Sequence, residues 1–582
     1  MSTLDEQTSP AIGRFGATPA KTAEEAGAGK PWMDVALLAL VFGVVFFFDL
    51  GEVSLVNPDE GRYAEVPREM VATGDYVTPR LNGVVYFEKP PLVYWAVAGA
   101  LRLFGPGEFG IRLVPALFAL GGVLSIYAAG RRLAGRAEGI GAAVVLGSSL
   151  LYFALGRILL LDMALTVLMS ATLFFFILGV REPAGARRRW YFLGLYASAA
   201  LATMTKGLIG FMLPGAVMFF WLLIFNQWRR LLPMHLVAGA LLFLAIAAPW
   251  HVLVALRNDA WLNFYFVREH WDRFTTTEHG RYEPWWYFLP VVVAGLFPWT
   301  GFVAPAVRSA LRGGWAARRA NADAWFFVTW AVVVFLFFSK SQSKLIPYIL
   351  PVFPPLALLT GGWLARVWHQ REEEQRVRVP FGVFAVMAVA IGVALLTVLF
   401  KPDLVRNASR LEALRPDGVV AACALLAGAA LAPVLAARGR LRSASLALAA
   451  AVAGFYLVLG EAQDKVARPG TKAFAELVKQ RAGPDDRVYH YHDFFHDFTF
   501  YAERTVGTIA APNTELEIWI DPAAQASGRF IDEAEFRRQW NGSRRIWVVA
   551  RQREIGALFR DPTFRYHLIA ETRGHCLFSN QP

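Results

Sequence analysis

Two short stretches hold the densest cluster of acids, bases and aromatics in the first half of a very apolar chain. One is Asn57-Pro58-Asp59-Glu60-Gly61-Arg62-Tyr63-Ala64-Glu65, and the other is Tyr86-Phe87-Glu88-Lys89-Pro90-Pro91. Both follow the first hydrophobic run, which puts them at a membrane surface. Acids and bases held against a bilayer are costly unless used. Asn57-Pro58 signals a turn, and Asp59 is expected to cap the helix after it. Glu60 and Glu65 then fall on that helix, with Arg62 and Tyr63 on neighbouring faces. Glu88-Lys89-Pro90-Pro91 reads as a second stiff turn entering another helix, because proline fits the first helical turn. The functional reading is an active site at the membrane–water boundary; the plain one is a solvated loop whose acid only caps a helix.

The rest of the chain must hold these stretches in place. It has 582 residues, 56% of them hydrophobic, and a mean hydropathy of +0.39, which indicates a polytopic membrane protein. The net charge of +12 comes from arginine-rich connections between apolar runs. No basic stripe interleaved with stacking aromatics is present, so nucleic acid is not an expected partner. Cys423 lies in an apolar run and Cys576 in a polar region near the C-terminus; no disulfide framework is expected. Residues 1–30 read as a disordered tail without the short apolar core of a signal peptide.

Apolar runs of spanning length fall near 32–51, 109–130, 137–155, 158–180, 190–204, 207–226, 232–256, 285–307, 323–338, 344–366, 380–400, 418–437 and 443–460. Arginines recur at every second connection, among them Arg131, Arg132 and Arg136, then Arg187, Arg188 and Arg189, then Arg366, Arg371, Arg376 and Arg378. That alternation is the mark of cytoplasmic loops. The run 91–104 would make only about 21 Å of helix, so it is expected to lie along the membrane with Tyr94 and Trp95 at the interface. The result is an all-α domain of about 13 transmembrane helices over 31–460, with interfacial helices in the first outer loop. The N-terminus is then cytoplasmic.

On this parity the outward-facing side collects the remaining candidates. Asp162 is an acid at a span's outer end, five residues after Arg157, and Lys206 sits between two spans with almost no loop. Either a functional acid or a salt bridge to Arg157 or Lys206 fits Asp162. Lys344 and Tyr348 lie one helical turn apart at the start of another span, where snorkelling and an aromatic belt are the plain explanations. The loop string Arg268-Glu269-His270-Trp271 offers an imidazole that suits zinc together with Glu88, although two protein ligands make an incomplete site. After Gly460 the chain turns polar. Helices near 470–482, 532–540 and 551–559 alternate with strands near 487–491, 545–550 and 565–572, which predicts a small periplasmic α/β domain over 461–582. The string His490-Tyr491-His492-Asp493 with His496 and Asp497 reads as a polar strand end near the membrane rather than a metal site.

The order of a span, then P-D-E-x-R-Y, then F-E-K-P-P resembles the polyprenyl-phosphate-sugar transferases of the GT-C class. These include the protein O-mannosyltransferases and, more closely, the aminoarabinose transferases of lipid A. The resemblance extends over nearly the whole layout of spans and loops. It implies an inner-membrane glycosyltransferase taking 4-amino-4-deoxy-L-arabinose from undecaprenyl phosphate to a lipid A phosphate, which confers polymyxin resistance. It also implies Asp59 at the reaction centre, with Asp162 as a second acid. Arg62, Lys89 and Lys206 would hold phosphate, and Tyr63, Tyr86, Arg268, Lys344 and Tyr348 would line the substrate site. No cofactor is required; zinc at Glu88 and His270 is the one metal with candidate ligands.

Two rivals lead elsewhere. A protein O-mannosyltransferase would need a peptide groove, and its usual luminal β-trefoil insert has no counterpart here. A secondary transporter would carry charges at mid-membrane in broken helices, whereas here they gather at span ends and loops.

Overall fold

The computed structural model describes residues 30–272, 282–369, 377–401, 408–466, 470–511, 516–572 and 574–582. The tail 1–29 and the loop arginines Arg371 and Arg376 lie outside these residues. The chain is a multi-pass membrane protein. Among the described residues, eight helices are long and apolar enough to cross a bilayer. A helix pair, Phe288–Gly295 and Thr300–Ala310, is long and apolar enough only when taken together, and is bent by 101°. Each of the thirteen apolar runs lies in a helix or in a helix pair broken at one point.

The first helices are α1 (Pro31–Phe47), α2 (Asp59–Thr73), α3 (Leu92–Phe104), α4 (Glu108–Leu133), α5 (Arg136–Gly147), α6 (Leu150–Leu155), α7 (Leu161–Arg181), α8 (Ala186–Lys206), α9 (Ile209–Phe225) and α10 (Leu236–Arg257). The break between α5 and α6 meets the 101° bend. Leu150 N–H donates to the Phe297 carbonyl at 3.0 Å. Trp299 Nε1 donates to Ser148 Oγ at 2.9 Å, and Tyr456 OH donates to the Ser148 carbonyl at 2.8 Å. Two interrupted helices thus satisfy each other's freed backbone, which is how irregular backbone is tolerated at membrane depth.

α3 is a helix of 13 residues, as its length and position predict, but its aromatic face is turned inward. Tyr94 is fully buried with its ring centroid 6.2 Å from that of Tyr63, and Trp95 Nε1 donates to the Tyr76 carbonyl at 2.9 Å. Leu103 and Phe104 are the exposed apolar side chains. The expectation that Tyr94 lies at the interface is corrected: α3 packs one face on α2, and that face takes the aromatics.

Two short strands, β1 (Arg80–Leu81) and β2 (Val84–Val85), form a hairpin ahead of α3. The C-terminal part carries β3 (Arg487–Tyr491), β4 (Gly507–Ile509), β5 (Phe530–Ile531), β6 (Ile546–Arg551), β7 (His567–Glu571) and β8 (His575–Ser579) in one sheet of order β5-β4-β3-β6-β8-β7. β3, β4, β5 and β6 pair in parallel, while β8 is antiparallel to both β6 and β7. One face packs on Phe536, Trp540, Ile555 and Leu558. The other shares a single hydrophobic core with the segment between α1 and α4, in which Phe474, Phe498, Trp547 and Val549 cluster with Tyr63, Val66 and Tyr94. His490 and His496 are buried in this region, so the expected polar strand end is instead interior. Cys576, expected in a polar region, is buried in β8, and both cysteines are free.

Candidate active site

α2 begins directly after Pro58, and its first turn carries Asp59 and Glu60, where acids favour the helix N-terminus. Asp59 does not cap α2 as expected: it is the first helical residue, Pro58 holds the cap position, and no side chain caps the helix. Glu60 Oε2 instead accepts from Val56 N–H, ahead of the helix, at 2.9 Å. Glu60 is buried and receives the Arg112 guanidinium from α4, Nε to Oε1 at 2.9 Å and NH2 to Oε2 at 2.7 Å. Its Oε1 also accepts from Leu159 N–H at 3.0 Å. One carboxylate therefore ties α2 to α4 and to the approach of α7. Glu65 is turned away from this corner, bound through both oxygens by Arg68.

With Glu60 occupied in the interior, Asp59 remains 42% exposed, and its Oδ1 lies 3.7 Å from NH1 of buried Arg62. Burial works against the Arg62 charge, but Tyr86, Glu88, Tyr63 and Asp59 more than offset it and hold its pKa above the ordinary value. Burial pushes the Tyr63 and Tyr86 phenols up, so both keep their protons as hydrogen-bond donors. Tyr86 OH is buried without a hydrogen-bond partner among the described residues.

Asp162 stands in the first turn of α7 and Lys206 in the last turn of α8, the ends each charge prefers. Gly207, with φ of 82°, ends α8 just past the lysine. Lys206 Nζ donates to Asp162 Oδ1 at 2.6 Å and lies 4.3 Å from the centre of the Tyr348 ring. Tyr348 in turn acts electrostatically on Tyr63, which joins this trio to the Asp59–Arg62 corner. Arg157 is not the partner of Asp162: it donates to the Val45 and Phe48 carbonyls, at 3.2 and 2.6 Å, at the end of α1.

Lys89 is buried and paired with Glu269, on the wide-turn helix Phe264–Asp272; its Nζ also donates to the Glu88 carbonyl at 3.0 Å. Arg268 lies 3.7 Å from Glu517 and 4.7 Å from the Trp519 ring centre, bridging to the C-terminal part of the chain. Lys344 is drawn away from Tyr348, with Nζ donating to the Glu283 and Ser341 carbonyls at 2.8 and 2.5 Å. The two residues thus serve different neighbours because Ile346–Val352 winds as a tight 3-10 turn.

The His270 side chain lies outside the described residues. Among those described, no group of three His, Cys, Asp or Glu side chains converges as a metal site would require. Glu88 acts instead on Arg62 and the tyrosines around it, and no step below passes through zinc.

The residues missed in the sequence are mostly those that join the C-terminal sheet region to this corner. Asn57 Nδ2 donates to Asp497 Oδ1 at 2.5 Å, and Asp497 N–H donates back to Asn57 Oδ1 at 3.0 Å. Tyr501 OH donates to Glu108 at 2.9 Å, and Lys472 Nζ lies 2.6 Å from the same carboxylate. Asn82 exchanges two bonds with the Val506 backbone, at 2.9 and 2.8 Å. Asn82-Gly83, with φ of 56° and 73°, is a tight hairpin turn whose sequence signal was there to be read. Gly61 is a close approach: a Cβ there would stand 2.6 Å from Asp497 N.

A family model described as dolichyl-phosphate-mannose-protein mannosyltransferase matches residues 88–253. The undecaprenyl phosphate-alpha-4-amino-4-deoxy-L-arabinose arabinosyl transferase of Edwardsiella ictaluri (strain 93-146) is 31% identical over 369 residues, 63% of this chain. That match spans 65% of the relative's own length, just under two thirds. The crystal structure of ArnT from Cupriavidus metallidurans bound to undecaprenyl phosphate superposes with a TM-score of 0.83 at 32% identity, covering 95% of this chain and 98% of that one. The apo oligosaccharyltransferase of Archaeoglobus fulgidus shares the fold alone, with a TM-score of 0.51 at 13% identity over 90% of this chain and 69% of that one.

Proposed function

The chain belongs to the undecaprenyl phosphate-alpha-4-amino-4-deoxy-L-arabinose arabinosyl transferases, and we propose that it moves 4-amino-4-deoxy-L-arabinose from undecaprenyl phosphate to a phosphate of lipid A. The observation that carries this reading is the exposed Asp59 carboxylate beside the buried, permanently charged Arg62. A lipid A phosphate oxygen attacks the anomeric carbon while its bond to the donor phosphate oxygen breaks, and the bonding pair leaves with undecaprenyl phosphate. The acceptor is already an anion at neutral pH, so no proton has to be removed. Asp59 orients the acceptor and steadies the positive charge that develops on the sugar. Arg62 meets the charge growing on the leaving phosphate, an interaction stronger in the transition state than before it.

Lys206, set between Asp162 and the Tyr348 ring, is the second phosphate contact, and Asp162 sets its direction. Lys89 reaches phosphate when the donor displaces Glu269. Tyr63 and Tyr86 donate to sugar or phosphate oxygens, and Tyr348 packs against the sugar. Arg268 and Lys344 hold the outer wall, through Glu517 and the 282–283 loop.

The same reading divides the chain into a cytoplasmic tail over 1–30, a transferase domain of thirteen crossings over 31–460 and a periplasmic domain over 461–582 in the bacterial inner membrane. It rests on the alternation of arginine-rich connections and on α3 lying beside α2 rather than crossing. Mass spectrometry of lipid A tests the activity. Cells with the gene are expected to show the aminoarabinose increment, and deletion and Asp59→Ala are expected to abolish it. An increment that persists in Asp59→Ala removes Asp59 from the centre, and one that persists in the deletion removes the activity.

A further inference from the structure

Far from Asp59, the opposite end of α8 carries a second feature. α8 has 21 residues, so its first turn lies about 30 Å from Lys206, on the other side of the helix bundle. There a cavity of about 490 Å³ opens between the start of α8 and the turn before α10, lined by Gly185, Ala186, Arg188, Arg189, Trp190, Leu193 and His235.

The cavity is cationic and holds no acid in its lining. The nearby Glu182 is engaged by Arg187 at 3.2 Å. Arg230, on the turn before α10, lies outside the lining and is anchored to the Val180 carbonyl at 2.8 Å. Burial, and after it the like charge of Arg188, push the Arg230 guanidinium below its ordinary pKa. Two guanidiniums, Arg188 and Arg189, therefore line one opening, with the Arg230 charge near enough to act on Arg188, an arrangement that an anion relieves. Beside the cavity α8 and α10 are packed tightly: Tyr196 OH donates to the Met234 carbonyl at 3.2 Å, and the Tyr196 ring lies so close to Gly239 that a Cβ there would stand 2.0 Å from it. Trp190 in the lining, and Leu232, Leu236 and Val237 within three residues of His235 in sequence, are exposed apolar side chains, which suit acyl chains and not free phosphate.

We infer that this cavity binds the phosphate headgroup of an anionic phospholipid, on the face of the membrane opposite the Asp59 corner. Basic pockets between membrane helices on the cytoplasmic side commonly hold such headgroups. The chemistry recognised is a phosphate ester: Arg188 and Arg189 take its oxygens in forked geometry, and Trp190 and Leu193 lie along the glycerol and the first methylenes.

The test is native mass spectrometry of the detergent-purified full chain with equimolar phosphatidylglycerol and phosphatidylcholine, and separately with inorganic phosphate as competitor. Phosphatidylglycerol is expected to dominate the bound lipid. The double variant Arg188→Gln with Arg189→Gln is expected to lose roughly thirtyfold in its binding, about fivefold per arginine. A control pair of the same charge change, Arg438→Gln with Arg440→Gln, is expected to keep it. Monodisperse elution and undiminished sugar transfer by the cavity variant show that it has folded. The inference is overturned if the control pair loses as much binding, if phosphatidylcholine binds equally, or if millimolar inorganic phosphate displaces the lipid.

Discussion

Asn57 and Asp497 lie 440 residues apart and exchange two hydrogen bonds, one through each other's side chain and one through the Asp497 backbone. Asp497 also accepts from Thr471 N–H and Oγ1, at 2.7 and 2.9 Å. The corner that leads into Asp59 is thereby held from the C-terminal part of the chain. Asn57→Ala leaves the buried Asp497 short of a partner, which costs about 1–3 kcal/mol. Because a loosened corner displaces Asp59 from the reacting atoms, kcat is expected to fall by roughly ten- to a hundredfold with KM little changed. Steady-state kinetics on purified donor and acceptor lipids would show it; a KM effect alone would place the clamp in binding.

The Glu60–Arg112 pair is buried on both sides. Glu60→Ala strands the guanidinium and is expected to lower stability by about 3–5 kcal/mol, read as a drop in thermal unfolding temperature in detergent. Adding Arg112→Met is expected to recover part of that loss, since the stranded charge is then gone.

At Gly61 the smallest side chain decides docking. Gly61→Ala sets a Cβ against the Asp497 backbone, and backbone cannot swing aside as a flexible side chain can. Limited proteolysis is expected to cut the variant between Gly460 and Lys472 faster than wild type, with activity reduced in step.

Burial pushes the His490 imidazole down to about 3, and its Nδ1 accepts from Phe495 N–H at 3.1 Å. The folded state holds it neutral, while the unfolded chain protonates it below about 6.5. Its contribution is therefore complete above pH 6.5 and is lost as pH falls toward 3. The unfolding temperature is expected to drop from pH 7 to pH 5, and His490→Phe is expected to flatten that slope.

Lys206 and Asp162 are expected to separate binding from positioning. Lys206→Met removes the cation and is expected to raise donor KM by about tenfold or more, as for loss of a charge-assisted contact. Asp162→Asn keeps the cation but frees its direction, and is expected to lower kcat with a smaller change in KM.

Much of this layout could be read from residue order, because hydropathy and proline–glycine punctuation act locally. The strand Arg487–Tyr491 and the helix near 532–540 appear where period and flanking residues put them. Lys206 beside Asp162 was legible as an alternative, since both sit at span ends on one side. What could not be read depends on contacts between distant segments. Glu60 is drawn into the interior by Arg112, 52 residues on, and Asp59 is left at the surface. Tyr94 turns inward because α3 packs on α2, where its ring meets that of Tyr63. Lys89 meets Glu269 across 180 residues, and nothing local to either foretells it.

The clamp across 440 residues also sets an order in time. A ribosome adding about 5–20 residues per second makes Asn57 roughly 20–90 s before Asp497. Through that interval the bilayer holds a nascent chain whose acidic corner has no latch, and a chain cut short before the last domain never gains one.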